Sequence, residues 1–163
     1  MTINVLKVLH DTTVDGPGLR TSIYCAGCRH ECPQCHNPQS WTFGSGTDTT
    51  TEELLEEILA DPFADVTFTG GDPFYQAEAF AELAKLIKSR SEKTIWCYTG
   101  FTLEQLLRDG SSRELLCNID VLVDGPFIEE QKDITLKFKG SANQRVIDLR
   151  KTIANNEIII YDI

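Results

Sequence analysis

Hydrophobic and polar positions alternate imperfectly at the start of the chain. Ile3, Val5 and Val8 or Leu9 predict a first strand, with His10 to Gly18 as a loop and Leu19 to Tyr24 as a second strand. From Ala26 to about Asp48 neither a helical nor a strand period holds, and a loop of that length in a compact chain usually carries function. Thr49-Thr50-Thr51-Glu52-Glu53 then starts a helix: Thr50 and Glu53 have capping-box spacing, and Leu54, Leu55, Ile58 and Leu59 share one face. Asp65 to Thr69 is β-branched and aromatic, a strand that stops at Gly70-Gly71-Asp72-Pro73. Phe80, Leu83, Ala84 and Ile87 predict a helix over Gln76 to Ser89, followed by a strand over Thr94 to Tyr98.

Thr99-Gly100-Phe101 turns into a short helix through Leu103, Leu106 and Leu107. Ile119 to Val123 predicts another strand, ending at Asp124-Gly125-Pro126-Phe127. Phe138 to Arg145 is polar loop material; Val146-Ile147 leads into a short helix with Leu149, Arg150 and Ile153, and Glu157 to Tyr161 predicts a last strand. The order is repeated β/α, with the candidate site residues near strand ends, which places the chain in the α/β class. A complete eight-unit barrel takes about 250 residues. The 163 residues here support an abbreviated, open parallel arrangement in one domain, 1–163.

The formal net charge of −10 disfavours a general role on nucleic acid or anionic membranes. The charge is uneven: seven acids and no base run from Asp48 through Asp65, whereas Lys132 through Lys151 holds six bases against Asp133 and Asp148. That basic stretch could meet an anionic cofactor or partner, although a solvated surface uses the same residues. No apolar run approaches the roughly 20 residues of a membrane span. Without a basic-then-apolar leader, and with its cysteines clumped, the sequence reads as cytoplasmic with reduced thiols.

Four of the six cysteines lie between Cys25 and Cys35. Their spacing is C-x2-C-x3-C-x2-C with Cys25 and C-x3-C-x2-C without it. Four thiolates would close a tetrahedral zinc or iron site; Cys28, Cys32 and Cys35 alone would leave one iron of a [4Fe-4S] cube without a protein ligand, open to a small molecule. His30 and His36 read as loop packing or solvent exposure, because sulfur suffices at each assigned corner. Cys97 and Cys117 read as small buried apolar residues.

The remaining candidates sit at turns. Asp15-Gly16-Pro17-Gly18-Leu19-Arg20 is a tight turn feeding a strand, with Arg20 available to support a carboxylate or to order the loop beyond that strand. Gly70 and Gly71 expose backbone where Cβ atoms would block a ligand, and Asp72 sets a carboxylate beside them, although a structural turn uses the same residues. Asp124 is a candidate for a polar contact or a monovalent cation, or for a turn cap. No phosphate loop of the nucleotide triphosphatase kind is present.

The C-x3-C-x2-C spacing at Cys28, Cys32 and Cys35 is the signature of the radical S-adenosylmethionine superfamily. Read in order, Asp15 to Arg20, Cys35-His36-Asn37, Trp41, Thr69 to Pro73, Trp96 to Gly100, Val123-Asp124-Gly125 and Gly140 to Gln144 resemble the activating proteins of anaerobic ribonucleoside-triphosphate reductase over nearly the whole chain. Gln34 stands where many superfamily members carry an aromatic residue, and Cys25 adds a thiol.

The resemblance implies an open (β/α) partial barrel of the radical S-adenosylmethionine type. In it, Cys28, Cys32 and Cys35 hold one [4Fe-4S] cluster, with S-adenosylmethionine on the fourth iron. It implies cofactor contacts from Gly70, Gly71 and Asp72, and from the loop positions Gln34, Cys35 and His36. It further implies an oxidoreductase that takes one electron from an external reductant such as flavodoxin or ferredoxin, cleaves the sulfonium, and abstracts hydrogen from a glycine in the glycyl-radical domain of the reductase large subunit. The alternatives are activation of another glycyl-radical enzyme, small-molecule radical chemistry, or a noncatalytic zinc protein with four cysteine ligands. The Ala26 to Asp48 loop has no room for the two extra clusters of some activators, which favours the reductase.

Overall fold

A computed structural model of the chain describes residues 1–162. Seven strands form one sheet: β1 (Thr2–Thr12), β2 (Arg20–Cys25), β3 (Thr47–Thr50), β4 (Asp65–Gly70), β5 (Ile95–Tyr98), β6 (Val121–Asp124) and β7 (Arg145–Asp148), in the order β3-β1-β2-β4-β5-β6-β7. The central four, β2, β4, β5 and β6, run parallel. β1 and β7 flank them antiparallel, and β3 pairs antiparallel outside β1. The sheet is open, as the length requires, but mixed where the sequence suggested parallel strands throughout.

The register puts Ile23, Phe68, Cys97, Leu122 and Ile147 in one row across β2, β4, β5, β6 and β7. All five are fully buried on the face that carries the helices. These are α1 (Thr51–Leu59), α2 (Ala77–Arg90), α3 (Leu103–Leu107), α4 (Arg113–Leu116) and α5 (Leu149–Asn155), and each contributes to that core. The predicted capping box starts α1: Thr50 Oγ1 accepts from the Glu53 amide at 3.1 Å, and Glu53 accepts from the Thr50 amide at 3.0 Å. α2 buries Phe80, Leu83, Ala84 and Ile87, its predicted stripe. Among the described residues, no helix is long and apolar enough to cross a membrane.

The other face carries Trp96, Val121, Val123 and Val146, with Tyr98, Phe138 and Tyr161 packed on them. Among the described residues, no helix packs on this second cluster. Arg20 is buried beside it and donates from Nε to Thr67 Oγ1 (2.8 Å), from Nη2 to the Val66 carbonyl (2.8 Å) and from Nη1 to the Pro17 carbonyl (3.0 Å). Its burial lowers the guanidinium pKa from the ordinary value. The loop it orders is therefore the one before β2, not the one after it.

Several boundaries differ from the sequence reading. β1 continues to Thr12, past the predicted loop start at His10, and register shifts between Val5 and Lys7 and between Leu9 and Thr12 account for its broken alternation. β3 spans the junction between the loop that shows no period, Ala26 to about Asp48, and the predicted start of the helix at Thr49. Val146-Ile147 belongs to a strand, and Glu157 to Tyr161 does not: the latter makes one isolated bridge, Ile147 to Ile160. Cys117 is exposed just after the last turn of α4, whose buried side is supplied by Leu115 and Leu116.

Candidate functional site

The cysteine loop leaves the sheet where β2 ends at Cys25. Its two limbs are tied by main-chain bonds, from the Gly27 amide to the Ser40 carbonyl (2.7 Å) and from the Cys28 amide to the Trp41 carbonyl (3.2 Å). Between them the Cys35 amide reaches the Cys32 carbonyl at 3.0 Å, and the Asn37 amide donates to Cys35 Sγ at 3.4 Å. These bonds turn the chain so that Cys28, Cys32 and Cys35 line one cavity of about 170 Å³. Its other walls are the ends of three parallel strands, Thr69, Gly70 and Gly71 at the end of β4, Tyr98, Thr99 and Gly100 at the end of β5, and Gly125 after β6, together with His30, His36, Asn37, Phe127 and Gln144. Open parallel sheets bind ligands at this carboxyl end.

Gly70 and Gly71 are required by packing within the protein. Gly70 has φ +105°, and a Cβ on it would stand 2.3 Å from the Cys25 nitrogen; one on Gly71 would stand 2.5 Å from the Gly27 oxygen. The turn lies directly on the root of the cysteine loop, bonded from the Gly71 amide to the Cys25 carbonyl (2.7 Å) and from the Asp72 amide to the Gly27 carbonyl (2.9 Å).

Asp72 is fully buried behind the cavity wall. Its oxygens accept from the Phe74 amide (3.0 Å), the Gly100 amide (2.9 Å) and the Thr99 hydroxyl (2.9 Å), and Oδ2 lies 2.7 Å from His30 Nε2. The His30 ring sits between Tyr75 and Phe101, with centroids at 5.7 and 4.5 Å. His30, which the sequence reads as loop packing or solvent exposure, thus joins the cysteine loop to the turns after β4 and β5. The available signal was a carboxylate in a buried Gly-Gly-Asp turn, which needs donors from somewhere.

Burial pushes the Cys28 thiol up to about 11, with Asp72, Cys32 and Cys35 adding to the rise and the His30 amide opposing it. Burial also raises Cys32, against the Phe127 amide. Cys25 is fully buried in the helix-side core and does not line the cavity; burial raises its thiol well above the usual range. Among the described residues, no three His, Cys, Asp or Glu side chains form a group that could hold a single metal ion.

Of the other predicted positions, His36 lines the cavity with its ring 5.1 Å from Phe127, whereas Gln34 is exposed at φ +60° and does not line the cavity. Asp124 is buried, and a cation is already on it. Arg145 Nε donates to Oδ1 at 3.0 Å and Nη2 bonds Oδ2, while the Leu103 amide donates to Oδ2 at 2.8 Å. Arg145 also bonds Glu104, and the two carboxylates raise its pKa further. A guanidinium thus stands where the sequence allowed a monovalent cation.

Three soft sulfur donors lining one cavity suit an iron–sulfur cluster. A family profile described as a 4Fe-4S single cluster domain matches residues 14–147. The anaerobic ribonucleoside-triphosphate reductase-activating protein of Vibrio cholerae is 41% identical over 140 residues, covering 80% of this chain and 88% of that protein. The proteins of the same name from Haemophilus influenzae and Enterobacteria phage T4 are each 34% identical, over 87% and 82% of this chain and 96% and 86% of their own lengths. With similarity of this degree running nearly end to end on both sides, the chain belongs to the family of anaerobic ribonucleoside-triphosphate reductase-activating proteins.

Proposed function

We propose that the chain activates the large subunit of an anaerobic ribonucleotide reductase, holding a [4Fe-4S] cluster through Cys28, Cys32 and Cys35 beside bound S-adenosylmethionine. When bound, the pair supplies a one-electron reductive cleavage, driven by an external reductant of the flavodoxin or ferredoxin type, that ends in hydrogen abstraction from a glycine of the partner.

The chain's own residues supply placement and dryness. Gly70 and Gly71 share the cavity with the three thiols, and their main chain is the natural seat for the methionine amino group; Cys35 and His36 border the same ligand, whereas Gln34 stays outside the cavity. Asp72 acts from behind the wall: by holding His30, Thr99 and Gly100 at once, it fixes three loops relative to one another. Phe127 and Tyr98 add aromatic wall to the same cavity. Such placement matters because an error of about 1 Å can cost roughly a hundredfold in rate.

The observation that carries the reading is that Cys28, Cys32 and Cys35 line a cavity from which Cys25 is withdrawn into the core. It favours three protein ligands over a zinc site closed by four. Anaerobic reconstitution of single alanine variants tests it through iron content, deoxyadenosine formation and the glycyl-radical signal of the partner. Cys28→Ala, Cys32→Ala and Cys35→Ala should each lose the cluster and all cleavage, while Cys25→Ala keeps most of its iron. Equal iron loss in Cys25→Ala would overturn the assignment.

A further inference from the structure

Parallel strands are ordinarily covered on both faces, yet among the described residues no helix packs on the Trp96 face of this sheet. Irregular chain covers it instead. A Cβ on Gly16 would stand 3.2 Å from the Trp96 ring, and the rings of Phe138 and Tyr161 meet Trp96 edge-on at 5.3 and 5.2 Å. Side chains of this face donate to main-chain carbonyls of the covering segments: Tyr98 Oη to Phe138 O (2.8 Å), Thr67 Oγ1 to Asp15 O (2.7 Å) and Arg20 Nη1 to Pro17 O (3.0 Å). The face grips backbone and fills the remaining space with an aromatic ring.

Phe138 joins two hollows. Its carbonyl is on Tyr98, a wall of the cysteine cavity, and its ring is on Trp96, a wall of a second hollow of about 540 Å³ toward the amino ends of the strands. Phe138 has φ +64°, a strained conformation for a bulky side chain. The segment around it is held at its two ends and by Phe138, while its tip is free of the rest of the protein. Residues 131–135 are exposed, with Ile134 at 89%; the ties to the rest are the Tyr98 bond, the Lys132 amide on the Glu129 carbonyl (3.1 Å), a bridge from Lys132 to Ser141, and Lys139 Nζ and the Gly140 amide on Gln144 (2.9 Å each).

We propose that residues 132–140 are a removable strap in which Phe138 keeps the place of the partner. The occupant that replaces it is an extended main-chain segment of the reductase large subunit beside the target glycine. One carbonyl of that segment takes the Tyr98 hydroxyl, and one apolar side chain takes the Trp96 ring. An extended peptide offers both groups in alternation along its length, and displacing the strap opens the cysteine cavity along the strands into the second hollow. The proposal rests on the activation reading above.

The test uses reconstituted enzyme in a Trp41→Phe background, which leaves Trp96 as the single tryptophan; the Trp41 indole nitrogen has no hydrogen-bond partner to lose. Titration with the cognate large subunit should shift Trp96 emission saturably, in step with complex formation. Phe138→Gly removes the ring's contact with Trp96, a loss larger than the positive-φ strain it relieves in the seated strap, so it should lower the KM for the large subunit about fivefold, with kcat and uncoupled S-adenosylmethionine cleavage unchanged. A glycyl radical formed on the partner with no change in Trp96 emission would overturn the strap alone. So would a Phe138→Gly enzyme whose KM is unchanged or higher. A complex that shifts Trp96 emission but never yields a glycyl radical would instead remove the activation reading, and with it the proposed occupant. The emission experiment needs no change in the strap, so it stands even if Phe138→Gly folds poorly.

Discussion

Gly18 and Gly70 both have positive φ, at +72° and +105°, but only Gly70 is also hemmed in by backbone. A Cβ on Gly18 would meet nothing within 4 Å, so Gly18→Ala should cost only the left-handed penalty of about 1 kcal/mol. In Gly70→Ala the same penalty is joined by a clash with the Cys25 main chain, which cannot swing aside as a side chain can, and the loss should reach about 3 kcal/mol or more. Urea midpoints of the cluster-free proteins measure both; equal shifts would show that the turn yields more easily than the packing implies. The sequence marked Gly70 and Gly71 as bare backbone at a ligand site or a structural turn, and both line the cavity. It could not show that the nearest thing to them is the protein's own chain, because Cys25 and Gly27 lie more than forty positions away in sequence.

The Asp72 cluster joins three elements, so its loss should be felt in more than one place. Asp72→Ala leaves the Phe74 and Gly100 amides and the Thr99 hydroxyl without their acceptor, at a cost of about 3 kcal/mol. His30→Ala frees only the cysteine loop. It should speed proteolysis within residues 28–41 far more than it lowers the urea midpoint, because local opening can precede global unfolding; a midpoint loss matching Asp72→Ala would mean that His30 supports the whole fold. Elements with a local cause were legible: Thr50 and Glu53 announce α1, and the Phe80 to Ile87 stripe announces α2. Strands whose cause is pairing were not. Thr47–Thr50 has no apolar alternation and exists because β1 offers an edge. Glu157 to Tyr161 has the stronger β composition, yet Val146 and Ile147 reach β6 first and leave it one bridge.

Across the molecule, the excess of acid is partly tied down by local bonds. Asp61 accepts from the Phe63 and Ala64 amides, and Asp109 from the Ser112 and Ser111 hydroxyls and the Ser111 amide; Asp133 accepts from the Thr135 hydroxyl and amide, and Glu104 from Arg145. Each carboxyl is lowered from its ordinary value, 3.8 for the aspartates and 4.5 for Glu104. Their contribution is therefore present above those values and lost as pH falls through the lower folded ones. The urea midpoint of the cluster-free protein should drop steadily below about pH 4. A combined Asp61→Asn, Asp109→Asn variant, still able to accept the amide bonds, should show a shallower acid limb; an unchanged limb would place the sensitivity elsewhere.

At the outermost lips of the sheet, β3 is only four residues long, all Thr or Asp. Beside β7, the Asp148 amide reaches the Ile159 carbonyl and the Tyr161 amide reaches the Val146 carbonyl, so that lip is already dressed by the chain's own end segment. Short polar lips and occupied ones are poor templates for adding a foreign strand. Two copies of this protein should not zip together lip to lip, and its traffic with other molecules is left to its broad surfaces.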